Sequence, residues 1–367
     1  MWAEVDALLA RAVSDGIMPG CAVSIWLDGA PAHSVAFGRA ELRPHPRSAS
    51  LQTPWDLASL TKVLATTPIA MSLVADGALD LDAPLTEILP DAPKGVTAAH
   101  CLSHTSGLPP WRPLFDLPDV RGAGWGSAAA RDHVLAAARG TPLVAVPGDE
   151  HAYSDLGFLL LGAAMETLCS QRLDALYESR VRQPSGVDLR WGWTGAAATE
   201  DCPKRGVVVR DSVHDLNAHA MGGISSHAGL FGAVEQVAAA AAWQLSSWQG
   251  ENSRGLDSSV VRRFWSHRAA GSHHLGWDGV SAAGSSAGDL WPQDGVGHLG
   301  FTGCGVWIAP RQDAIVALVS NRVHPVVEGG SVPDAPIHPR YAAFKTLRPA
   351  VHTAVVEALK RADRWPG

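Results

Sequence analysis

The feature that most constrains this chain is a change of hydrophobic period along it: strand signals lie near both ends and helical spacing fills the middle. Near the start, Cys21 to Leu27 and Ser34 to Gly38 read as two strands separated by a turn-rich stretch that opens with Asp28-Gly29, a hairpin signal. Ahead of them, Ala7 to Val13 reads as part of an amphipathic helix. From about Thr53 to Cys169 the apolar spacing is helical, with Pro68 interrupting one helix, Gly77 ending the next, and Ser127 and Gly140 bracketing another. Strand signals return at Thr302 to Ala309 and Asp313 to Ser320, and a final amphipathic helix runs from about Ala350 to Arg361. Sheet, helices, sheet and helix imply an α+β protein in which one lobe is inserted into another, and a cleft between lobes is a favoured place for a site.

With 46% hydrophobic and 18% charged residues, the 367-residue chain has the composition of a globular protein and enough length to bury a sizeable core. Its net charge of -7 is spread thinly, without the basic tract that nucleic acid requires. Glu4 and Asp6 stand where a signal peptide carries positive charge, and the apolar stretches Val63 to Val74 and Val237 to Trp243 fall short of the roughly 20 residues of a membrane helix. The expectation is a soluble, cytoplasmic protein with no membrane partner. Cys21, Cys101, Cys169, Cys202 and Cys304 are odd in number and lack Cys-x-x-Cys spacing, which speaks against a disulfide framework or a zinc knuckle and fits a reducing compartment.

The chain holds few lysines, and only Lys62 follows a serine by three residues, in Asp56-Leu57-Ala58-Ser59-Leu60-Thr61-Lys62. Positions i and i+3 share a helix face, so the Ser59 hydroxyl and the Lys62 amine can meet while Leu57, Leu60 and Val63 bury the element. A serine hydroxyl is a weak nucleophile at neutral pH and needs such a partner. Tyr153 lies where the turn-rich Pro147-Gly148-Asp149-Glu150-His151-Ala152 runs into an apolar helix beginning near Leu156, and a phenol beside a lysine can take a nucleophile's proton and return it to a leaving group. In Gly297-His298-Leu299-Gly300-Phe301-Thr302-Gly303, which opens a strand, glycines crowd where another backbone or a ligand could approach closely. There the Phe301 amide could pair with the Ser59 amide as an oxyanion hole, and His298 could hydrogen-bond a substrate or tune Lys62. Each motif alone also has a bland reading: a chance Ser-x-x-Lys, a rim tyrosine, a surface histidine beside a turn.

Together, in this order and this far apart, they resemble the serine β-lactamase and penicillin-binding protein superfamily, specifically its class C-like branch with family VIII-type esterases, D-aminopeptidases and DD-peptidases. The resemblance extends to Leu102-Ser103-His104-Thr105-Ser106-Gly107-Leu108-Pro109, Tyr153-Ser154-Asp155-Leu156-Gly157, Val213-His214-Asp215 with Asn217, Gly222 with Gly223, His227-Ala228-Gly229-Leu230-Phe231, and Ser320-Asn321-Arg322-Val323-His324-Pro325. It implies one β-lactamase-like unit over residues 1–367. A five-stranded antiparallel sheet flanked by helices is built from residues 1–66 and 231–367, and a mostly helical subdomain from 67–230.

The same resemblance makes Ser59 the nucleophile, Lys62 its partner base and Tyr153 the proton relay, with His298-Leu299-Gly300 in the place of a Lys-Thr-Gly strand motif. Asp155, His298 and Gly300 would bind substrate. Asp155 replaces an asparagine, and its charge would change how a substrate amide is held or how Lys62 titrates; His298, a weaker and pH-dependent cation, replaces a lysine that helps bind a β-lactam carboxylate in class C enzymes. Both replacements point away from efficient β-lactam hydrolysis and toward a short-acyl ester or small amide, with β-lactamase or DD-carboxypeptidase activity as the alternative. The mechanism calls for neither a metal nor an organic cofactor, and its partners are small ester, amide or peptide substrates.

Three competing classes follow from other features. Gly284-Ser285-Ser286-Ala287-Gly288 has the letters of an α/β-hydrolase elbow, but no buried strand precedes it and no long apolar helix follows. The pairs His214 with His219 and His273 with His274 lack the i, i+4 spacing of a helical metal site. A penicillin-binding sensor that is acylated without turnover would keep the same fold and the same Ser59, Lys62 and Tyr153.

Overall fold

The structure, a computed structural model, describes residues 1–251, 256–327 and 338–365. Asp28 and Gly29 both adopt positive φ, 54° and 70°, and form the two-residue turn that joins strands β1 (Gly20–Leu27) and β2 (Ala30–Glu41). The second strand therefore starts earlier and runs further than Ser34 to Gly38. The remaining strands of this sheet are β3 (Arg47–Ser48), β4 (Asp278–Gly279), β5 (Val296–Leu299), β6 (Gly305–Ala309) and β7 (Ala314–Ser320). Their order is β3-β2-β1-β7-β6-β5-β4, with every neighbour antiparallel. The expected five strands are joined by two edge strands of two residues each, too short to leave a periodic signal. Thr302 and Gly303, expected inside a strand, form the turn before β6.

Both sheet faces are buried, and strict alternation divides the side chains between them. Cys21, Val23, Ile25 and Leu27 of β1 face the same way as Val316 and Leu318 of β7, toward the terminal helices. Those helices, Ala3–Ser14 and Pro339–Arg361, cover this face with Val5, Leu9, Phe344, Val351, Val355 and Leu359. Ala22 of β1 with Ile315, Ala317 and Val319 of β7 points to the other face, into a core continuous with helices Thr67–Ala75, Asp155–Cys169 and Val234–Gln249. Each large aliphatic side chain buried this way contributes about 1.5–3 kcal/mol. A one-residue register slip would exchange the two sets wholesale.

One proline and one helix start depart from expectation. Pro68 does not interrupt a helix; it lies in the first turn of Thr67–Ala75, directly after a wide π-turn over Lys62–Thr66 in which the Thr67 amide donates to the Lys62 carbonyl. Pro68 has no N–H to continue the narrower ladder, and the wider turn absorbs the loss. Pro349 lies inside the last helix, which consequently begins at Pro339, well before Ala350. Ser127 and Gly140 do bracket a helix, Ala128–Arg139, with the Ser127 hydroxyl accepting the Ala130 amide at 3.0 Å.

The glycines of the β5–β6 region have steric reasons. A Cβ on Gly297 would sit 2.2 Å from the indole of Trp307, its cross-strand partner. One on Gly300 would meet the Leu57 carbonyl oxygen at 2.5 Å, and Gly303 takes φ 107° with the Ser320 hydroxyl at the Cβ position. Gly297→Ala is expected to displace Trp307 and cost about 1–3 kcal/mol. In urea unfolding this appears as a lower midpoint at unchanged slope; an unchanged midpoint would show that the contact with Trp307 is slack.

Candidate active site

Ser59 is presented by a strained turn. Ala58, immediately before it, holds φ 48°, a left-handed conformation unfavourable for a residue with a side chain. Asp56 Oδ1 accepts the Ala58 amide at 2.8 Å, and the Thr61 hydroxyl donates to the Ala58 carbonyl at 2.6 Å, so both ends of the strained residue are held. The turn runs directly into the Lys62–Thr66 segment, which brings Lys62 back beside Ser59.

Lys62 is fully buried, and its three ammonium protons meet three acceptors: Ser59 Oγ at 3.0 Å, Asp155 Oδ1 at 2.7 Å and the His227 carbonyl at 3.1 Å. Burial pushes its pKa down, but the Asp155 carboxylate and Tyr153 more than offset that, and the net direction is upward. Asp155 thus contacts Lys62 directly, in keeping with the expectation that its charge bears on how Lys62 titrates.

Tyr153 is half-buried, with the Lys62 ammonium 5.0 Å from its ring centre. Burial raises the phenol's pKa, and Lys62, together with polar interaction toward Lys62 and Ser59, only partly opposes this. The segment Leu102 to Pro109 explains the tyrosine's placement. His104 packs its ring at a tilt against that of Tyr153, centres 4.3 Å apart, accepts the Ser154 amide on Nδ1 at 3.0 Å, and receives the Ala152 amide on its carbonyl at 2.9 Å. The Ser154 hydroxyl donates to the Pro109 carbonyl at 2.8 Å while capping helix Asp155–Cys169 through the Gly157 amide. These contacts seat Tyr153 and Asp155 as one unit.

His298 is buried on β5, its ring 5.8 Å from that of Tyr153. Burial and the Lys62 charge push its pKa down to about 3, so it is neutral near pH 7 and not a weaker substitute for a cation. Gly300 packs on the Leu57 carbonyl, and the half-exposed Phe301 follows it with its ring stacked on His214 at 5.6 Å. The candidate oxyanion residues therefore sit on two segments in direct contact. Ser286 lies in a run of turns and bends, its hydroxyl accepting from the Trp307 indole at 3.2 Å, which is not an elbow between strand and helix.

Sequence reasoning missed a group of histidines. His104, His273 and His298 bring ring nitrogens within 4.8 Å of one another, and His151 Nε2 lies 2.9 Å from His273 Nδ1. The hydrogen-bond polarity of the three is mixed. His104 Nδ1 accepts a backbone N–H, leaving Nε2 as a donor, whereas His298 Nδ1 donates to the Leu299 carbonyl at 2.9 Å, leaving Nε2 as a lone pair. Asp155, Asp215 and His227 form a second cluster, already occupied by internal partners: His227 Nε2 lies 2.9 Å from Asp215 Oδ1, and Asp155 holds Lys62. His298 and Asp155 were singled out in the sequence, and His104, Asp215 and His227 lay in the family segments, whereas nothing in the sequence pointed His151 or His273 toward these groups.

Comparison with known proteins places this geometry. A family model described as beta-lactamase matches residues 5–335. This chain belongs to the β-lactamase family. It is 29% identical over 341 residues to a putative D-alanyl-D-alanine carboxypeptidase of Salmonella enteritidis, covering 84% of this chain and 78% of that one. It is 28% identical to an N-acetylmuramyl-L-alanine amidase of Bacillus subtilis, covering 89% and 82%. Among solved structures, EstCE1, a hydrolase with promiscuous acyltransferase activity, aligns with a TM-score of 0.72 at 20% identity over 95% of this chain and 98% of that one. The octameric penicillin-binding protein homologue from Pyrococcus abyssi aligns at 0.69 and 20% identity, over 94% and 76%. This member of the β-lactamase family is a serine hydrolase, and among its described residues no helix is long and apolar enough to cross a membrane.

The neutral histidines set a pH dependence of stability. In the folded chain His104 and His273 are held well below 6.5 and His298 near 3, by burial first and by neighbouring rings and Lys62 next, while unfolded histidines titrate near ~6.5. Below that pH the unfolded chain takes up protons the folded one refuses, so stability is complete above ~6.5 and lost as pH falls toward the folded values. Urea midpoints are expected to drop between pH ~7.5 and ~5; a flat profile would mean that these rings are protonated in the folded protein.

Proposed function

We propose that this member of the β-lactamase family hydrolyses short-acyl esters or small amides through an acyl-enzyme on Ser59. The observation that carries this is the 3.0 Å hydrogen bond from a buried Lys62 ammonium to Ser59 Oγ, with Tyr153 packed against the same ammonium. Substrate enters between the sheet and the helical segment 67–230. One member of the Lys62–Tyr153 pair loses its proton to give the active form and then takes the Ser59 proton as Oγ attacks the carbonyl. The amides of Ser59 and Phe301 hold the oxyanion, the accepted proton passes to the leaving group, and water repeats the sequence to free the acid. The pair titrates as a unit, so the step belongs to both groups.

Neutral esters and amides suit this site because His298 carries no charge with which to hold a substrate carboxylate. The second reading is hydrolysis of a D-alanyl-D-alanine bond or a related amide at the same serine, supported by the activities for which the two relatives are named. Comparing kcat/KM for a short p-nitrophenyl ester, a D-alanyl-D-alanine peptide and a chromogenic β-lactam separates them, with the ester expected to lead.

Brief exposure to a fluorophosphonate is expected to add one adduct by intact mass and to abolish ester turnover. Ser59→Ala should lose both; persistence of either in that variant sinks the proposal. A sensor would release one burst of nitrophenol and stop.

Because both Lys62 and Tyr153 are pushed upward, activity is expected to rise with pH above neutrality. Asp155→Asn removes the carboxylate that holds the Lys62 proton, so the rising limb should move to lower pH. A limb that stays put or moves upward would show that Asp155 does not set the protonation of the pair.

A further inference from the structure

The two proposed oxyanion donors belong to segments far apart in the chain, yet their contacts converge on one buried residue. Asp56 uses one carboxylate oxygen to accept the Ala58 amide at 2.8 Å, immediately before Ser59. Its other oxygen accepts the His214 amide at 2.6 Å, and the His214 ring stacks on Phe301. Its main-chain carbonyl accepts the Thr302 hydroxyl at 2.7 Å, immediately after Phe301. Both sides of the candidate oxyanion hole are thus gauged from a single residue, while the Gly300 contact with the Leu57 carbonyl prevents the turn from being padded outward.

We propose that Asp56, through Ala58 on one side and through Thr302 and His214 on the other, is the positioning residue that sets the distance between the Ser59 and Phe301 amides. This rests on the acyl-enzyme reading above. Asp56 touches neither substrate nor the Ser59 hydroxyl in this role. It acts on the transition state alone, since an oxyanion needs both donors at hydrogen-bond distance, whereas a planar ground-state carbonyl depends on them less. An asparagine cannot replace it: two backbone N–H groups point at the carboxylate, and one of them would face the amide NH2, donor against donor. Thr302→Val is the milder probe, removing one hydroxyl from the opposite side at nearly constant volume.

The experiment compares native enzyme, Asp56→Asn and Thr302→Val by kcat and KM for a p-nitrophenyl ester, by the inhibition constant of an alkylboronic acid, and by thermal midpoint. The boronate forms a tetrahedral adduct on a serine and places an oxygen where the oxyanion would be. Expected in each variant is a ~10–100-fold loss of kcat with KM little changed, and a loss of boronate affinity by the same factor. Unchanged boronate affinity beside a reduced kcat would overturn the proposal, as would a kcat that falls only in proportion to lost folded protein. Should Asp56→Asn fail to fold, Thr302→Val decides alone. If the native enzyme forms no boronate or fluorophosphonate adduct on Ser59, the acyl-enzyme reading itself fails, a result distinct from these variant effects.

Discussion

Everything near Ser59 depends on one buried positive charge. Taking an ammonium out of water costs several kcal/mol unless its protons are met, and Lys62 meets that demand with acceptors from three separate stretches of chain: Ser59, Asp155 and the His227 carbonyl. Satisfying it joins the Ser59 turn, the start of helix Asp155–Cys169 and the segment before Leu230. Each partner is itself secured. Asp155 follows the Ser154 cap, and His227 is fixed by Asp215 through Nε2 and by Ser225 through Nδ1 at 2.8 Å. Loss of any one support would leave a charge under-satisfied in the core, so the site is as rigid as the core around it.

The same charge explains the chemistry of its surroundings. With Lys62 held positive by Asp155, a second cation on β5 would be repelled across a buried site, and the residue there is a histidine driven neutral in part by Lys62 itself. Asp155 and His298, which read in the sequence as two separate replacements, are one electrostatic arrangement: an internal carboxylate for the lysine, and an uncharged ring beside it. On the proposed function, such a site favours uncharged acyl groups over anionic ones.

The strand signals in Cys21 to Leu27 and Asp313 to Ser320 were legible because both strands are buried on two faces and so read as short apolar runs, and the Asp28-Gly29 hairpin because only a few residue pairs tolerate two positive φ values in succession. Pro68 misled because proline stops helices in general, and here a wider turn lets the helix continue through it. The Ser59, Lys62 and Tyr153 set was visible as short motifs and family likeness. The roles of Asp56, His273 and Thr302 were not, because each depends on contacts between residues with no fixed spacing: Asp56 and Thr302 are 246 positions apart. No local period or motif encodes that distance.

This division between legible and hidden follows from what each part of the site must do. Attack on a carbonyl requires a nucleophile and a base, which only a few side-chain types supply, and here Ser59 and Lys62 stand at a recognisable spacing. Oxyanion stabilisation requires only backbone N–H groups, which every residue but proline owns, so composition cannot reveal it. What it needs instead is relative position, and position leaves indirect traces: a left-handed alanine before Ser59, a glycine pressed on the Leu57 carbonyl, and a buried carboxylate spending both oxygens on backbone. Left-handed Ala58 costs on the order of 1–2 kcal/mol, which the Asp56 and Thr61 hydrogen bonds offset only if their geometry is kept. A glycine there would relieve the strain and also free the Ser59 amide to move, so the strained alanine is the more exacting holder of the nucleophile.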